Sequence, residues 1–161
     1  MDWEQIVQTF GERLGVGLTL NERRECSFEA DGARVTILSL SELEQIVLIG
    51  DVGAAPPERL ENLFRIMLEG NHLFGATAGA TLSYDAAQER FALCRCLDCR
   101  VLDAEGFLAQ VELFINTLHS WISIVSNYRG ALPELKRRDN VEPDQQKKDA
   151  LSIINGAFMP V

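Results

Sequence analysis

PERLENLFRIMLEGNHLFGATAGATLSYDAAQERFALCRCL, from Pro57 to Leu97, is the stretch whose reading decides the fold. Leu60, Leu63, Phe64, Met67 and Leu68 recur at i, i+3, i+4, i+7 and i+8, the spacing of an amphipathic helix. Pro57 suits a first helical turn, where its missing N–H costs nothing. Gly70 and Asn71 both tolerate the left-handed conformation of a C-terminal cap and should end the helix. The small residues Gly75–Ala80 then form a joint. Two strands follow, Thr81–Tyr84 and Glu89–Leu97, joined by Asp85-Ala86-Ala87-Gln88.

Toward the N-terminus the chain alternates helix and strand signals. Asp2–Leu14 carries one apolar stripe of Trp3, Ile6, Val7, Phe10 and Leu14, with acidic residues near its start and Gly15 and Gly17 as stops. Glu25–Ala30 alternates apolar and polar residues. Asp31-Gly32 is a strong hairpin signal, and Ala33–Leu40 returns with Val35 and Ile37 on one face and Thr36, Leu38 and Leu40 on the other. Glu44–Val52 is almost continuously apolar and reads as a central strand covered on both faces.

Toward the C-terminus Asp103 caps a long helix to about Tyr128. Leu108, Val111, Ile115, Leu118, Ile122 and Val125 repeat at three and four, and Phe107, Phe114, Trp121 and Tyr128 repeat every seven. Gly130 and Pro133 should end it. Residues 131–161 read as a polar extension whose terminal Leu151, Ile154 and Phe158 are apolar again, so we expect one domain over 1–130 and an extension over 131–161.

Composition limits function. The net charge is −9, and residues 1–130 hold 19 acidic against 10 basic side chains, every one of the latter an Arg. That balance disfavours nucleic acid, whose phosphates need Lys and Arg, and equally an anionic membrane. No apolar run approaches the ~20 residues that span a bilayer, and MDWEQIVQTF lacks a basic signal-peptide start, so a cytoplasmic location is expected. Cys94, Cys96 and Cys99, with Cys26, lack the usual pairing of a structural zinc site. Cys94 and Cys96 share a strand face with Ala92 and read as small buried hydrophobes. His72 and His119 have no nucleophile at a diagnostic spacing, and Gly70, Gly75 and Gly79 make no phosphate loop. We expect no enzyme, no metal and no cofactor.

The order helix, three strands, helix, two strands, long helix resembles the Tir chaperone (CesT) family of type III secretion chaperones over about residues 3–128. The residues that carry the resemblance are Leu63–Leu68, Asn71, Gly75–Gly79, Thr81–Tyr84, Arg90–Leu93, the entry Leu14-Gly15-Val16, and Phe107-Leu108, Val111, Phe114 and Trp121. The resemblance implies an α+β fold, a twisted antiparallel sheet of about five strands with three helices. It implies an acidic bacterial cytoplasmic homodimer, without catalysis, that binds the extended N-terminal chaperone-binding segment of a secreted effector in the service of virulence. The extension beyond residue 130 departs from it. Candidate effector-binding residues are Ile6, Phe10, Leu14, Phe28, Val35 and Ile37. Candidate dimer-interface residues are Leu63, Phe64, Met67, Leu82, Tyr84, Phe91 and Leu93. For each, ordinary core is the competing reading, because an obligate interface resembles a core cut in half. The alternative from another class is a YbjN-like regulatory or adaptor module that binds a folded partner.

Overall fold

Asp31 and Gly32 both take positive φ, 49° and 81°, which closes the first hairpin in the conformation that matches strand twist. The hairpin joins β1 (Glu25–Ala30) to β2 (Ala33–Leu40). The computed structural model describes residues 3–139, and the expected terminal turn around Leu151, Ile154 and Phe158 lies outside them. β3 (Gln45–Ala54), β4 (Thr81–Asp85) and β5 (Arg90–Asp98) complete an antiparallel sheet in the order β1-β2-β3-β5-β4. A bulge between Asp51 and Gly53 shifts the β3–β5 register. The helices are α1 (Trp3–Leu14), α2 (Leu60–Asn71) and α3 (Ala104–Asp139). The element order and five-stranded antiparallel sheet are those expected.

One face of the sheet carries Phe28, Val35, Ile37, Ile46, Leu48 and Leu93, all buried. The helices pack here. Phe10 of α1 meets Phe28 and Phe107 edge to face at 5.5 and 5.3 Å. Phe64 of α2 meets Phe91 at 5.9 Å. Leu118 of α3 fills the space above Gly50. Each large side chain so buried contributes about 1.5–3 kcal/mol relative to exposure.

The other face corrects an expectation. β3 is central but not covered on both sides, for its burial alternates residue by residue. Val47 and Ile49 point away from the helices and stay half-buried beside Leu38, Cys94 and the exposed Cys96. Cys96 is therefore not a buried hydrophobe, although Cys26 is.

Helix ends differ too. α2 starts at Leu60, after a left-handed Arg59, so Pro57 precedes the helix instead of opening it. Gly70 and Asn71 are not left-handed caps; the helix ends into an extended His72. Asp103 caps α3 as expected, its Oδ1 accepting from the Gly106 N–H at 2.7 Å. α3 does not stop at Gly130 and Pro133 but runs to Asp139 with Pro133 inside it. The proline removes one hydrogen bond, yet Leu132, Glu134, Lys136 and Arg137 around it favour helix. The described residues divide after Ser126 into two units, the first of which carries the sheet, α1 and α2.

Candidate partner-binding surfaces

Three surfaces on the first unit carry apolar groups outward. The first lies where α1 ends. Leu14 and Val16 are exposed, and a groove of about 390 Å³ runs between Glu4, Val7 and Gln8 of α1 and the segment Leu18–Asn21, closed by Arg24. Leu18 is buried, Thr19 exposed and Leu20 half-buried, a strand-like alternation in a segment outside the sheet. β1 beside it is an edge strand, with one side free of any described strand.

Of the candidate effector-binding residues, the structure brings Phe10, Phe28, Val35 and Ile37 together with Ile6, but inside the core: all five are buried, Ile6, Val35 and Ile37 completely. Leu14, 48% exposed, is the one that reaches the surface.

The second surface is the outer side of α2 and the connector that follows it. The candidate interface residues Leu63, Met67, Leu82, Phe91 and Leu93 are buried within the chain. Phe64 and Tyr84 are half-buried, and form with Phe91 a three-ring cluster with centroids 5.1–5.9 Å apart. The residues exposed here are Leu68, at 69%, and Leu73 and Phe74, at 83% and 56%. Leu68 is legible in the helical spacing, whereas Leu73 and Phe74 were missed. Two large apolar residues directly after a helix stop were the signal.

The connector is held, not loose. Leu73, Phe74 and Ala78 take positive φ between 50° and 56°, a conformation that costs a non-glycine residue of order 1–2 kcal/mol. Hydrogen bonds along the connector, including one from the Thr77 N–H to the Phe74 carbonyl at 3.3 Å, accompany that backbone. Trp121 Nε1 donates to the Ala76 carbonyl at 2.9 Å, and Arg95 donates to the Ala78 carbonyl. Asn71 acts as a strand partner for β4: its amide donates to the Leu82 carbonyl at 3.1 Å and accepts from the Leu82 N–H at 2.8 Å. Arg95 stands on the core side of β5 opposite Leu48, and burial pulls its guanidinium below its usual range.

The third surface is the open sheet face, an apolar middle of Leu38, Val47, Ile49 and Ala92 rimmed by polar groups. Ser27 and Thr36 hydroxyls bond across it at 2.8 Å, and Arg90 pairs with Asp51. All four cysteines are free. Burial pushes the Cys26 and Cys99 thiols up, the second helped by Asp98, Cys96 and Glu44, so neither is poised as a thiolate nucleophile. Among the described residues no group of three His, Cys, Asp or Glu side chains is placed to hold a metal, and no helix is long and apolar enough to cross a membrane. What these surfaces offer is apolar area, the open edge of β1 and a hydrogen-bonded connector: the means to bind a polypeptide.

Comparison with known proteins gives the same direction. The model of the Tir chaperone protein (CesT) family matches residues 5–122. The Tir chaperone of Escherichia coli O157:H7 is 24% identical over 125 residues, 77% of this chain and 80% of that protein. Among solved structures, a chain of the ExsC-ExsE complex superposes with a TM-score of 0.67 at 22% identity, covering 76% of this chain and 92% of that one. A chain of the HopA1-SchA chaperone-effector complex gives 0.63 at 15% identity, covering 75% and 93%.

Proposed function

The chain belongs to the Tir chaperone protein (CesT) family of type III secretion chaperones, and from that premise we propose that it binds the N-terminal chaperone-binding segment of a secreted effector and keeps it extended, soluble and competent for secretion. The observation that carries the proposal is the family match over residues 5–122, which takes in the sheet, α2, nearly all of α1 and about half of α3. The work is holding, not turnover, and no cofactor is needed. It is done in the bacterial cytoplasm by a homodimer, apart from nucleic acid and membrane.

Physical chemistry supports an extended partner. A peptide that adds to an edge strand satisfies main-chain donors and acceptors and places alternate side chains in pockets. β1 is such an edge, with the Val7–Leu18 groove and Leu14 alongside. Ile6, Phe10, Phe28, Val35 and Ile37 lie beneath this region and set its shape. Self-association belongs to α2, β4 and β5, with Phe64 and Tyr84 as the half-exposed members of the candidate set.

The test is co-expression with a candidate effector followed by limited proteolysis. Protection of an extended N-terminal effector segment is the expected result. Binding only to folded effector domains, with every N-terminal segment still cleaved, would sink the proposal.

A further inference from the structure

Arg95 is a cation that core packing does not account for. It is half-buried on the helix side of β5, on the same strand face as the buried Leu93 and Leu97. Its guanidinium is a fork of N–H donors, and one of them goes to the Ala78 carbonyl. Among the described residues no carboxylate lies within ion-pair reach of it. A charge drawn out of water without a counter-charge costs free energy, so proteins pair such charges. Trp121 bonds the Ala76 carbonyl, which turns that flank of α3 toward the connector. Thr117, Leu113 and Gln110 share the flank, four, eight and eleven residues before Trp121. Leu118 lies over Gly50 and Val125 beside Gly53, so α3 runs the same way as β3. Arg95 pairs with Leu48, two residues before Gly50 and about 7 Å back along the sheet. About four or five residues of helix cover that distance, which brings Arg95 level with Leu113 and Phe114. A cleft between α3 and the connector results. Arg95 is its floor, with exposed Ala78 and Gly79 on one rim and Gln110 and exposed Leu113 on the other. Gly79 leaves the guanidinium open, for a side chain there would begin 3.5 Å from it. No residue of the cleft is acidic, and α3 carries no Asp, Glu, Lys or Arg from Leu113 to Ser126.

We propose that Arg95 sets specificity for the bound effector segment by seating the carboxylate of one of that segment's Asp or Glu residues in this cleft. The seat presupposes the chaperone function above and adds a requirement on the sequence that is held. A carboxylate matches the guanidinium fork with parallel N–H···O bonds, and the two charges are then shielded together. Donors remain for it after the bond to Ala78. A neutral polar group would leave the cation unmatched, and an apolar one would leave its donors unpaired as well. The small residues Ala78 and Gly79 let a main chain approach closely, and Leu113 offers apolar contact beside the charge. A free small anion gains little from one surface arginine. A carboxylate carried on a segment already held elsewhere arrives at high effective concentration, so the occupant is the effector's own side chain.

The experiment takes the effector segment protected from proteolysis and replaces each of its Asp and Glu residues in turn by Asn or Gln. The affinity of every version is measured for the full chain as wild type, R95Q and R95K. One acidic position should stand out. Its amide version should bind wild type about tenfold or more weakly, yet bind R95Q as well as the original segment does, which confines the coupling to one pair. R95K keeps the charge without the fork and should retain part of the preference. Far-UV spectra and melting curves show whether each variant folds; where R95Q does not, the shrunken but surviving preference of R95K is the result expected. Equal losses against wild type and the Arg95 variants at every acidic position overturn the seat while the chaperone function stands. A protected segment without Asp or Glu does the same. Sedimentation of a folded R95Q shifted toward monomer would give the seat to a second copy, and so overturn it. No protected segment at all overturns the chaperone function itself, and the seat with it.

Discussion

Gly70 carries no side chain because the indole of Trp121 stands where one would begin. Its role is close approach of α2 to α3, not a turn. Gly70→Ala adds one methyl to a site with no room and should cost about 1–3 kcal/mol, the usual penalty of overpacking. Urea unfolding checks it, and an unchanged midpoint would mean that Trp121 moves freely. Asp98 is the residue where charge matters. Its carboxylate accepts hydrogen bonds from the Arg100 side chain, at 2.6 and 2.9 Å, and from the Arg100 backbone N–H at 3.0 Å. Those bonds hold it down at about 2, below the ordinary value of about 3.9. A carboxyl depressed on folding contributes stability above its unfolded value and loses it as pH falls toward the folded value. The contribution is therefore lost between about pH 4 and pH 2. Because the pair lies at the surface, with the Asp98 side chain 34% and the Arg100 side chain 63% exposed, solvent screening keeps the effect small. Asp98→Asn should flatten the fall of stability in that window, read from denaturant titrations at several pH values. An identical slope would show that Asp98 is no better bonded in the folded chain.

Among the elements, β4 depends on one side chain. Asn71 bonds both the N–H and the C=O of Leu82, where β4 begins to run along the end of α2. Asn71→Ala leaves that pair without its partner, and a lost partner at a shielded group costs about 1–3 kcal/mol. We expect a loss of that order together with faster amide exchange along Thr81–Asp85, ahead of the central strands; exchange unchanged at β4 would mean water replaces the amide. Much of this architecture was legible. Asp31-Gly32 placed the first hairpin, alternation placed β1 and β2, and the spacing from Leu60 to Leu68 placed α2 within its true range. The errors share a cause: local pattern does not report what packs against it. The run at Glu44–Val52 is apolar on both sides, but nothing in it says that the helices of the first unit pack on one side only. Asn71 looked like a cap because it tolerates left-handed backbone, whereas a strand ten residues on claims its amide. Pro133 looked like a stop, and the good helix formers around it carried the helix through.

For the whole molecule the question is which apolar residues belong to one copy and which to two. Composition does not separate them, and of the candidate site residues the burial now places Ile6, Phe10, Phe28, Val35 and Ile37, with Leu63, Met67, Leu82, Phe91 and Leu93, inside the single chain. Met67 and Leu68 make the sharpest comparison because they are neighbours on α2 with opposite surroundings. Met67 is 4% exposed and Leu68 is 69% exposed. A lysine at Met67 puts an unpaired charge into the core. That should cost more than about 3 kcal/mol, a large part of the 5–15 kcal/mol that holds a typical domain. A lysine at Leu68 is solvated in the single chain, so its cost there stays within about 0.5 kcal/mol, but it sets two cations side by side if two copies meet at the outer side of α2. Met67→Lys should therefore unfold the chain, seen as lost near-UV signal at any concentration. Leu68→Lys should keep that signal and the melting curve of the separated chain while shifting sedimentation toward monomer. Equal effects of the two substitutions on folding would remove the distinction, since they would mean that Leu68 is held in the core of the single chain as firmly as Met67.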